Sequence, residues 1–257
     1  MVLSYGICVV SVSPMHKEPL HRSEQVNQLL YGDRVEILEL DNFWAKIRAF
    51  DDDYEGWCLV NQIMPVTKRE FTKPAKYLNV SHKGRLVSEY NEIPLPVGAA
   101  LRTRNMLPSG EKVKFKGKKA FVPELKPSME NIESCARRFL AAPYQWGGKV
   151  LQGVDCSGLT QVVMKINGIQ IARDASQQAM QGAPVAFLQE ARCGDLAFFA
   201  NEEGRINHVG ILLDEHAILH ATETAGCVVI DKIDQQGIVS RTLRKRTHAL
   251  RLIRRFF

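Results

Sequence analysis

The side chain with the clearest chemical potential is the thiol of Cys156, in the run Val154-Asp-Cys-Ser-Gly158. Apolar residues at helical spacing over 159–166 predict a helix that starts at about this cysteine and ends near Gly168. A thiol at a helix N-terminus lies at the positive end of the helix dipole, which favours the nucleophilic thiolate. The alternative is that Cys156 is only a small buried side chain, the common fate of a free cysteine.

Two histidines later in the chain supply partners for such a thiol. His208 begins the run His-Val-Gly-Ile-Leu-Leu213, and His220 ends the run Ala217-Ile-Leu-His220. If these runs form a hairpin, both imidazoles face one cleft, with His208 as the base and His220 fixing its tautomer. The three residues together predict cysteine-based nucleophilic catalysis. The same three could instead hold a zinc ion with one open position.

The elements that must position these residues follow from periodicity. Apolar positions between Ile132 and Leu140 predict a helix capped by Ser128, and a short third helix is expected from Asp174 to Met180. Strands are predicted at Asp195–Ala200, His208–Asp214, Ala217–Thr222 and Cys227–Ile233, and a basic final strand at His248–Phe256. Helices followed by an antiparallel run of strands predict an α+β domain over 128–257.

The N-terminal quarter has a different pattern, in which short strands alternate with turns. Strands are expected at Ile7–Val12, Arg34–Leu40, Phe43–Arg48 and Trp57–Val60, and their close spacing suggests a small β-barrel over 1–65. Residues 66–127 are less regular and fit either a second barrel or an elaborated linker. Pro94 and Pro96 argue against a long element there.

The bulk composition is that of an ordinary globular protein, with 45% apolar and 24% charged residues in 257. Seven basic residues and no acidic ones lie between Arg241 and Arg255, so the rest of the chain is nearly neutral despite the net charge of +6. A solvated strand face explains this segment better than nucleic-acid binding, since no aromatic residues are interleaved over 241–252. The six cysteines are scattered and predict reduced thiols without a disulfide framework or a structural zinc motif.

Four motifs in the C-terminal half together resemble the NlpC/P60 family of cysteine peptidases: Asp155-Cys-Ser-Gly158, Gly194-Asp-Leu-Ala-Phe-Phe199, His208-Val-Gly-Ile211 and His220-Ala221. The resemblance implies a papain-like domain in which Cys156 is the nucleophile, His208 the base and His220 the third polar residue. It also matches Tyr144, in Pro143-Tyr-Gln-Trp-Gly147, to a family tyrosine near the oxyanion site.

The N-terminal spacing of Gly32-Asp33, Trp44 and Gly56-Trp57 resembles a bacterial SH3 (SH3b) domain. An SH3b domain before an NlpC/P60 domain resembles the γ-D-glutamyl-L-diamino-acid endopeptidases. By that resemblance, the residues expected to bind the substrate's free L-Ala ammonium are Asp155, Tyr54 and Glu24. Those expected near the D-Glu carboxylate are Ser157 and Asp174, although Ala175 stands where some relatives carry serine.

The resemblance therefore implies hydrolysis of the γ-D-glutamyl–diamino acid amide in L-Ala-γ-D-Glu tripeptides or tetrapeptides of murein, in peptide recycling. No cofactor, metal, nucleic acid or membrane partner is expected. An intact-wall hydrolase is the main alternative, followed by the zinc hydrolase above and by a catalytically silent wall-binding protein. The apolar N-terminus lacks a basic region and a small-residue cleavage site, which predicts a cytoplasmic protein unless a leader precedes residue 1.

Overall fold

The computed structural model of the chain describes residues 1–102 and 105–257. It divides into two compact units, Met1–Leu125 and Lys126–Phe257. No helix in the described part of the chain combines the length and apolar character that crossing a bilayer requires.

The first unit opens with a seven-stranded antiparallel sheet in the order β3-β2-β6-β5-β4-β1-β7. Its buried face encloses a cluster that includes Met15, Val35, Ile47 and Ile63. The strand expected over 7–12 is divided, because β1 ends at Cys8 and β2 starts at Val12. The elements are β1 (Ser4–Cys8), β2 (Val12–His16), β3 (Gln25–Leu30), β4 (Arg34–Asp41), β5 (Trp44–Ala49), β6 (Glu55–Leu59), β7 (Ile63–Val66) and the short helix α1 (Lys68–Thr72).

The remainder of this unit contains two three-stranded sheets, β10-β9-β12 and β11-β8-β13. They surround a second apolar cluster that includes Leu86, Leu95 and Leu101. Tyr31, in the turn after β3, also belongs to that cluster, so the two parts of the unit share packing. Pro94 ends an edge strand, where a missing N–H is tolerated. The strands are β8 (Tyr77–Asn79), β9 (Arg85–Val87), β10 (Glu92–Pro94), β11 (Ala100–Leu101), β12 (Lys114–Lys116) and β13 (Lys119–Phe121).

The second unit combines helices with a seven-stranded antiparallel sheet, as the α+β prediction requires. The sheet order is β16-β22-β17-β18-β19-β20-β21, and β22 also pairs with β21, so the six strands β17 to β22 close on themselves. The elements are α2 (Met129–Arg137), β14 (Lys149–Val150), β15 (Gly153–Val154), α3 (Cys156–Ile166), α4 (Ala175–Gln178), β16 (Ala183–Val185), β17 (Leu196–Ala200), β18 (Ile206–Leu212), β19 (Ala217–Thr222), β20 (Cys227–Asp234), β21 (Gly237–Val239) and β22 (Arg246–Arg255).

The helix α3 is the central positioning element of this unit. Its apolar stripe is fully buried, and it packs against α2, β18 and β19. Asp155 caps its N-terminus by accepting a hydrogen bond from the Gly158 N–H at 2.6 Å, and Gly168 follows its C-terminus at φ +82°. The predicted third helix is shorter than expected, and Asp174 makes no side-chain capping bond there.

Candidate active site

Cys156 is the first residue of α3 and is 6% exposed. Its neighbour Gly158 is needed for close approach, because a Cβ there would lie 2.1 Å from the carbonyl oxygen of Gly148. The Cys156 thiol lies beside the backbone of Val209, the residue after His208. The motif Asp155-Cys-Ser-Gly158 therefore packs the start of α3 against the strand that carries His208.

The prediction that the helix terminus favours a resting thiolate is wrong. Burial raises the pKa of the Cys156 thiol to about 12, and the negative charge of Asp155 adds to the rise. The backbone N–H groups of Val209 and Ser157 and the charge of Arg173 lower the pKa, but they do not offset the burial. Desolvation also lowers the pKa of His208 well below 6.5, helped by His220 and His248. Both shifts disfavour the charged forms, a thiolate at Cys156 and an imidazolium at His208.

The two predicted histidines are in contact, and a third residue, Asp231, contacts the second of them. His208 Nε2 lies 2.8 Å from His220 Nδ1, and His220 Nε2 lies 3.3 Å from a carboxylate oxygen of Asp231. All three side chains are buried. Because His208 Nε2 contacts His220, Nδ1 is the ring nitrogen of His208 that remains available as a base.

This geometry does not support the zinc alternative. Zinc would need histidine nitrogens directed at one ion from about 2.0–2.1 Å. Instead, the facing nitrogens of His208 and His220 are joined to each other at 2.8 Å. Within residues 1–102 and 105–257, no group of three or more His, Cys, Asp or Glu side chains is arranged to hold a metal ion.

Arg173 anchors the loop that precedes Cys156. It is 1% exposed, and its two terminal nitrogens lie 3.0 and 2.5 Å from the two oxygens of Asp155. It also donates to Ser157 Oγ at 2.8 Å. Asp155 accepts a further bond from the Gly147 N–H at 2.8 Å. This buried ion pair fixes the start of α3 and brings a positive charge beside the thiol.

The other residues expected near the substrate in this unit differ in how they are held. Tyr144 is half-buried, its hydroxyl is hydrogen-bonded to Glu223, and burial raises its pKa. Ser157 is buried against Arg173 and Asp155. Asp174 is half-buried at the start of α4. Their roles in oxyanion and carboxylate binding stay predictions.

Glu24 and Tyr54 belong to the first unit. Glu24 is exposed just before β3, with its carboxylate 3.8 Å from the Lys17 ammonium. Tyr54 is half-buried just before β6 and packs against the apolar cluster of the barrel. Their role toward the substrate ammonium, like that of Asp155, stays a prediction of the resemblance.

Three residues of the site were missed by the sequence reasoning: Arg173, Asp231 and His248. Arg173 directly precedes the predicted site residue Asp174, but the sequence around it gives no local sign that it is buried. Asp231 interrupts the apolar run Cys227-Val-Val-Ile230, and an acidic residue within a predicted strand was a usable signal. The His248 ring stacks on the His208 ring, with centroids 4.1 Å apart and planes 24° apart.

Because His208 and His248 resist protonation in the folded protein, we expect the stability to fall on mild acidification. Burial lowers the pKa of His248 to about 4, with His220 adding to the fall, and lowers that of His208 well below 6.5. Below pH 6.5 these histidines bind protons in the unfolded chain but not in the native state, so acidification destabilises the fold. We expect up to about 1.4 kcal/mol per pH unit from His208, and less from the half-buried His248.

Urea denaturation at about pH 7 and about pH 5.5 measures this dependence above the range in which carboxylates protonate. His248→Phe should reduce the loss of stability on acidification. His216→Gln is the matched control, since its side chain is 83% exposed. Stability that stays constant or rises on acidification would contradict the expectation.

Comparison with known proteins agrees with this architecture. Residues 141–247 match the NlpC/P60 family, and residues 15–63 match the bacterial dipeptidyl-peptidase SH3 domain. A crystal structure of an NlpC/P60 family protein from Bacillus cereus superposes with a TM-score of 0.81 at 21% identity, over 98% of this chain and 99% of that one. The predicted fold, a papain-like α+β domain preceded by SH3-like barrel structure, is confirmed.

Curated relatives span both units. The protein named gamma-D-glutamyl-L-lysine dipeptidyl-peptidase of Bacillus subtilis is 30% identical over 79% of this chain and 74% of its own length. The protein named dipeptidyl-peptidase 6 of Lysinibacillus sphaericus is 27% identical over 90% of this chain and 92% of its own. With Cys156 at the start of α3 and His208 and His220 on adjacent strands, the chain belongs to the NlpC/P60 family and is a cysteine peptidase.

Proposed function

We infer that the enzyme hydrolyses the amide between the γ-carbonyl of D-Glu and the diamino acid in murein peptides that carry a free N-terminal L-Ala. The observation that carries this inference is the Cys156, His208 and His220 constellation in an NlpC/P60 domain that follows an SH3 domain of the dipeptidyl-peptidase type. Further support comes from relatives named gamma-D-glutamyl-L-lysine dipeptidyl-peptidase. Peptides with a free amine are products of wall turnover, so we place the enzyme in peptide recycling in the cytoplasm.

The directions of the two pKa shifts, against a thiolate and against an imidazolium, define the first chemical step. The Cys156 sulfur attacks the γ-carbonyl carbon while its proton passes to His208 Nδ1, because neither group is charged beforehand. The backbone N–H of Cys156 lies at the first turn of α3, where no intrahelical acceptor is available, and it donates to the developing oxyanion. The Tyr144 hydroxyl becomes the second donor in this scheme when its proton turns from the Glu223 carboxylate to the oxyanion.

Collapse of the tetrahedral intermediate breaks the amide bond. His208 returns the proton to the leaving amine of the diamino acid, and a thioester remains on Cys156. Water then attacks the thioester while His208 takes its proton. The acid L-Ala-D-Glu is released, and the thiol is restored with the proton held by His208.

A defined tripeptide tests the proposed reaction. L-Ala-γ-D-Glu-L-Lys and its meso-diaminopimelate counterpart are incubated separately with the enzyme in the presence of a chelator, and the products are identified by mass spectrometry. We expect L-Ala-D-Glu and the free diamino acid from at least one of them. Intact peptides in both arms, or cleavage only at the L-Ala–D-Glu bond, would overturn the proposal.

The requirement for a free amine is the sharpest prediction of this function. Acetylating the N-terminal L-Ala removes a positive charge and leaves its acceptors without a partner. Losing a hydrogen bond to a charged group costs about 1.5–3 kcal/mol, so kcat/KM should fall at least about tenfold. The measurement compares kcat/KM for the free tripeptide and the α-N-acetylated tripeptide.

A tripeptide acetylated on the lysine ε-amine is the matched control, because it carries the same added group at the other end. Tyr54→Phe and Glu24→Gln, measured on both peptides, test the ammonium roles implied for these residues. Equal kcat/KM on the free and α-acetylated peptides would instead favour hydrolysis of intact wall, in which the stem peptide has no free amine.

A further inference from the structure

We propose that Asp231 is a fourth member of the catalytic chain, a positioning residue that fixes the tautomers of His220 and His208 so that His208 Nδ1 is the base. The proposal rests on the proposed function only for its kinetic consequence. Its structural basis is the buried sequence of contacts from His208 through His220 to Asp231.

The sheet places these three side chains on one face in regular steps. The register Ile211↔Leu219 puts Gly210 opposite His220, so His208 is the diagonal neighbour of His220 on the next strand. The register His220↔Val229 makes Asp231 the diagonal neighbour on the other side. Diagonal positions on neighbouring strands are within reach of long side chains. The side chains of His208, His220 and Asp231 therefore form a row across β18, β19 and β20, in which each residue is the diagonal neighbour of the next.

Gly210 makes room for this arrangement. A Cβ at that position would lie 2.7 Å from the Ile218 side chain and 3.0 Å from the Cβ of His220. The absence of a side chain at 210 therefore lets Ile218 and His220 pack directly over this strand, two residues from His208.

Asp231 is held as an anion at neutral pH. Burial alone would raise its pKa, but the hydrogen bond from His220 and the Arg241 N–H bring it below the usual 3.8. The Arg241 N–H donates to Asp231 Oδ1 at 2.8 Å, which leaves Oδ2 to accept from His220. An ionised carboxylate can only accept hydrogen bonds.

The proton positions follow from this acceptor. His220 must carry its proton on Nε2 to donate to Asp231, so its Nδ1 is an acceptor. His208 must then carry its proton on Nε2 to donate to His220 at 2.8 Å. In a neutral ring this leaves a lone pair on His208 Nδ1. An amide at position 231 can donate as well as accept, so Asp231→Asn removes the constraint at its source.

The tautomers can be read directly by long-range ¹H–¹⁵N correlation spectra of the full chain without substrate. The seven histidines are separated by single His→Gln variants. We expect Nε2-protonated rings at His208 and His220 in the wild type, and a changed or mixed tautomer in Asp231→Asn. A wild-type spectrum with the His208 proton on Nδ1 overturns the proposal, and this outcome needs no variant to fold.

Kinetics supplies the second readout. Asp231→Asn should lower kcat at least about hundredfold with little change in KM, because general-base catalysis contributes about 10²–10⁴-fold. Asp234→Asn is the matched control, since Asp234 lies on the same strand but forms an exposed ion pair with Arg246. It should change kcat less than about threefold. Unchanged tautomers and kcat in folded Asp231→Asn would overturn the proposal.

The two readouts separate this proposal from the proposed function. The spectra require no substrate, so an enzyme inactive on murein peptides still reports its tautomers. An active enzyme with the wrong tautomers would reject the role of Asp231 and leave the substrate assignment standing.

Discussion

Cys156→Ala is expected to lower kcat by at least about 10⁴-fold while the protein remains folded. The alanine side chain provides no nucleophile. The members of a catalytic triad act together, so the remaining two contribute little once one is removed. Cys156→Ser should also be inactive, because the neutral imidazole of His208 is a weak base for an alcohol at a site whose geometry accommodates sulfur. The measurements are the steady-state hydrolysis rate and circular dichroism.

Cys193→Ala is the matched control for this variant. Cys193 is a half-buried thiol in the same unit, near the backbone of Met129 rather than the histidines. Its removal should leave kcat unchanged within about twofold. A folded Cys156→Ala protein with a near wild-type rate would refute the cysteine mechanism.

Arg173→Met is expected to destabilise the protein by about 3–5 kcal/mol. Methionine approximates the length of the arginine stem, but it leaves the Asp155 carboxylate, 5% exposed, without its charged partner. Breaking a buried ion pair from one side carries this cost because the remaining charge stays desolvated. The free energy of unfolding from urea titration measures the effect.

Arg137→Met provides the comparison within the same unit. Arg137 pairs with Glu133 at 2.7 Å, but both side chains are exposed, so the loss should be within about 0.5 kcal/mol. The double variant Asp155→Asn, Arg173→Met should be less destabilised than the sum of the single variants, since it leaves no buried charge. Equal losses for Arg173→Met and Arg137→Met would show that the buried pair does not hold the start of α3.

The same pair has a consequence for the thiol. The Asp155 charge raises the pKa of Cys156, and the Arg173 charge opposes that rise. Asp155 can therefore cap α3 directly beside the nucleophile, because Arg173 neutralises part of the electrostatic effect of its carboxylate on the thiol. Any Arg173→Met protein that folds is expected to attack more slowly, because the uncompensated carboxylate further disfavours negative charge on sulfur.

Local patterns in the sequence predicted the elements that carry the catalytic residues. The helix that begins at Cys156 occurs in the structure, as do the strands that carry His208 and His220. These elements could be predicted because each is marked in the sequence by apolar periodicity and its own turn residues. The pairing of the two imidazoles required only one assumption, that neighbouring strands form a hairpin.

The remaining contacts depend on pairings between distant segments. Arg173 reaches Asp155 from the loop before α4, Asp231 reaches His220 from the next strand, and His248 reaches His208 from the last strand. Nothing local to those residues specifies a partner. The thiol pKa was misjudged for a related reason, since the helix terminus is visible in the sequence and the burial around it is not.

The most direct test of covalent catalysis by Cys156 is the mass of the enzyme itself during its first turnover. Enzyme in excess is mixed with the free-amine tripeptide, quenched in acid over a time course, and mapped by proteolysis and mass spectrometry. We expect a transient gain of one L-Ala-γ-D-Glu acyl group on the peptide that contains Cys156, released by neutral hydroxylamine as a thioester would be. Product formation through an acyl group on another residue, or without acylated protein at any time, would contradict it.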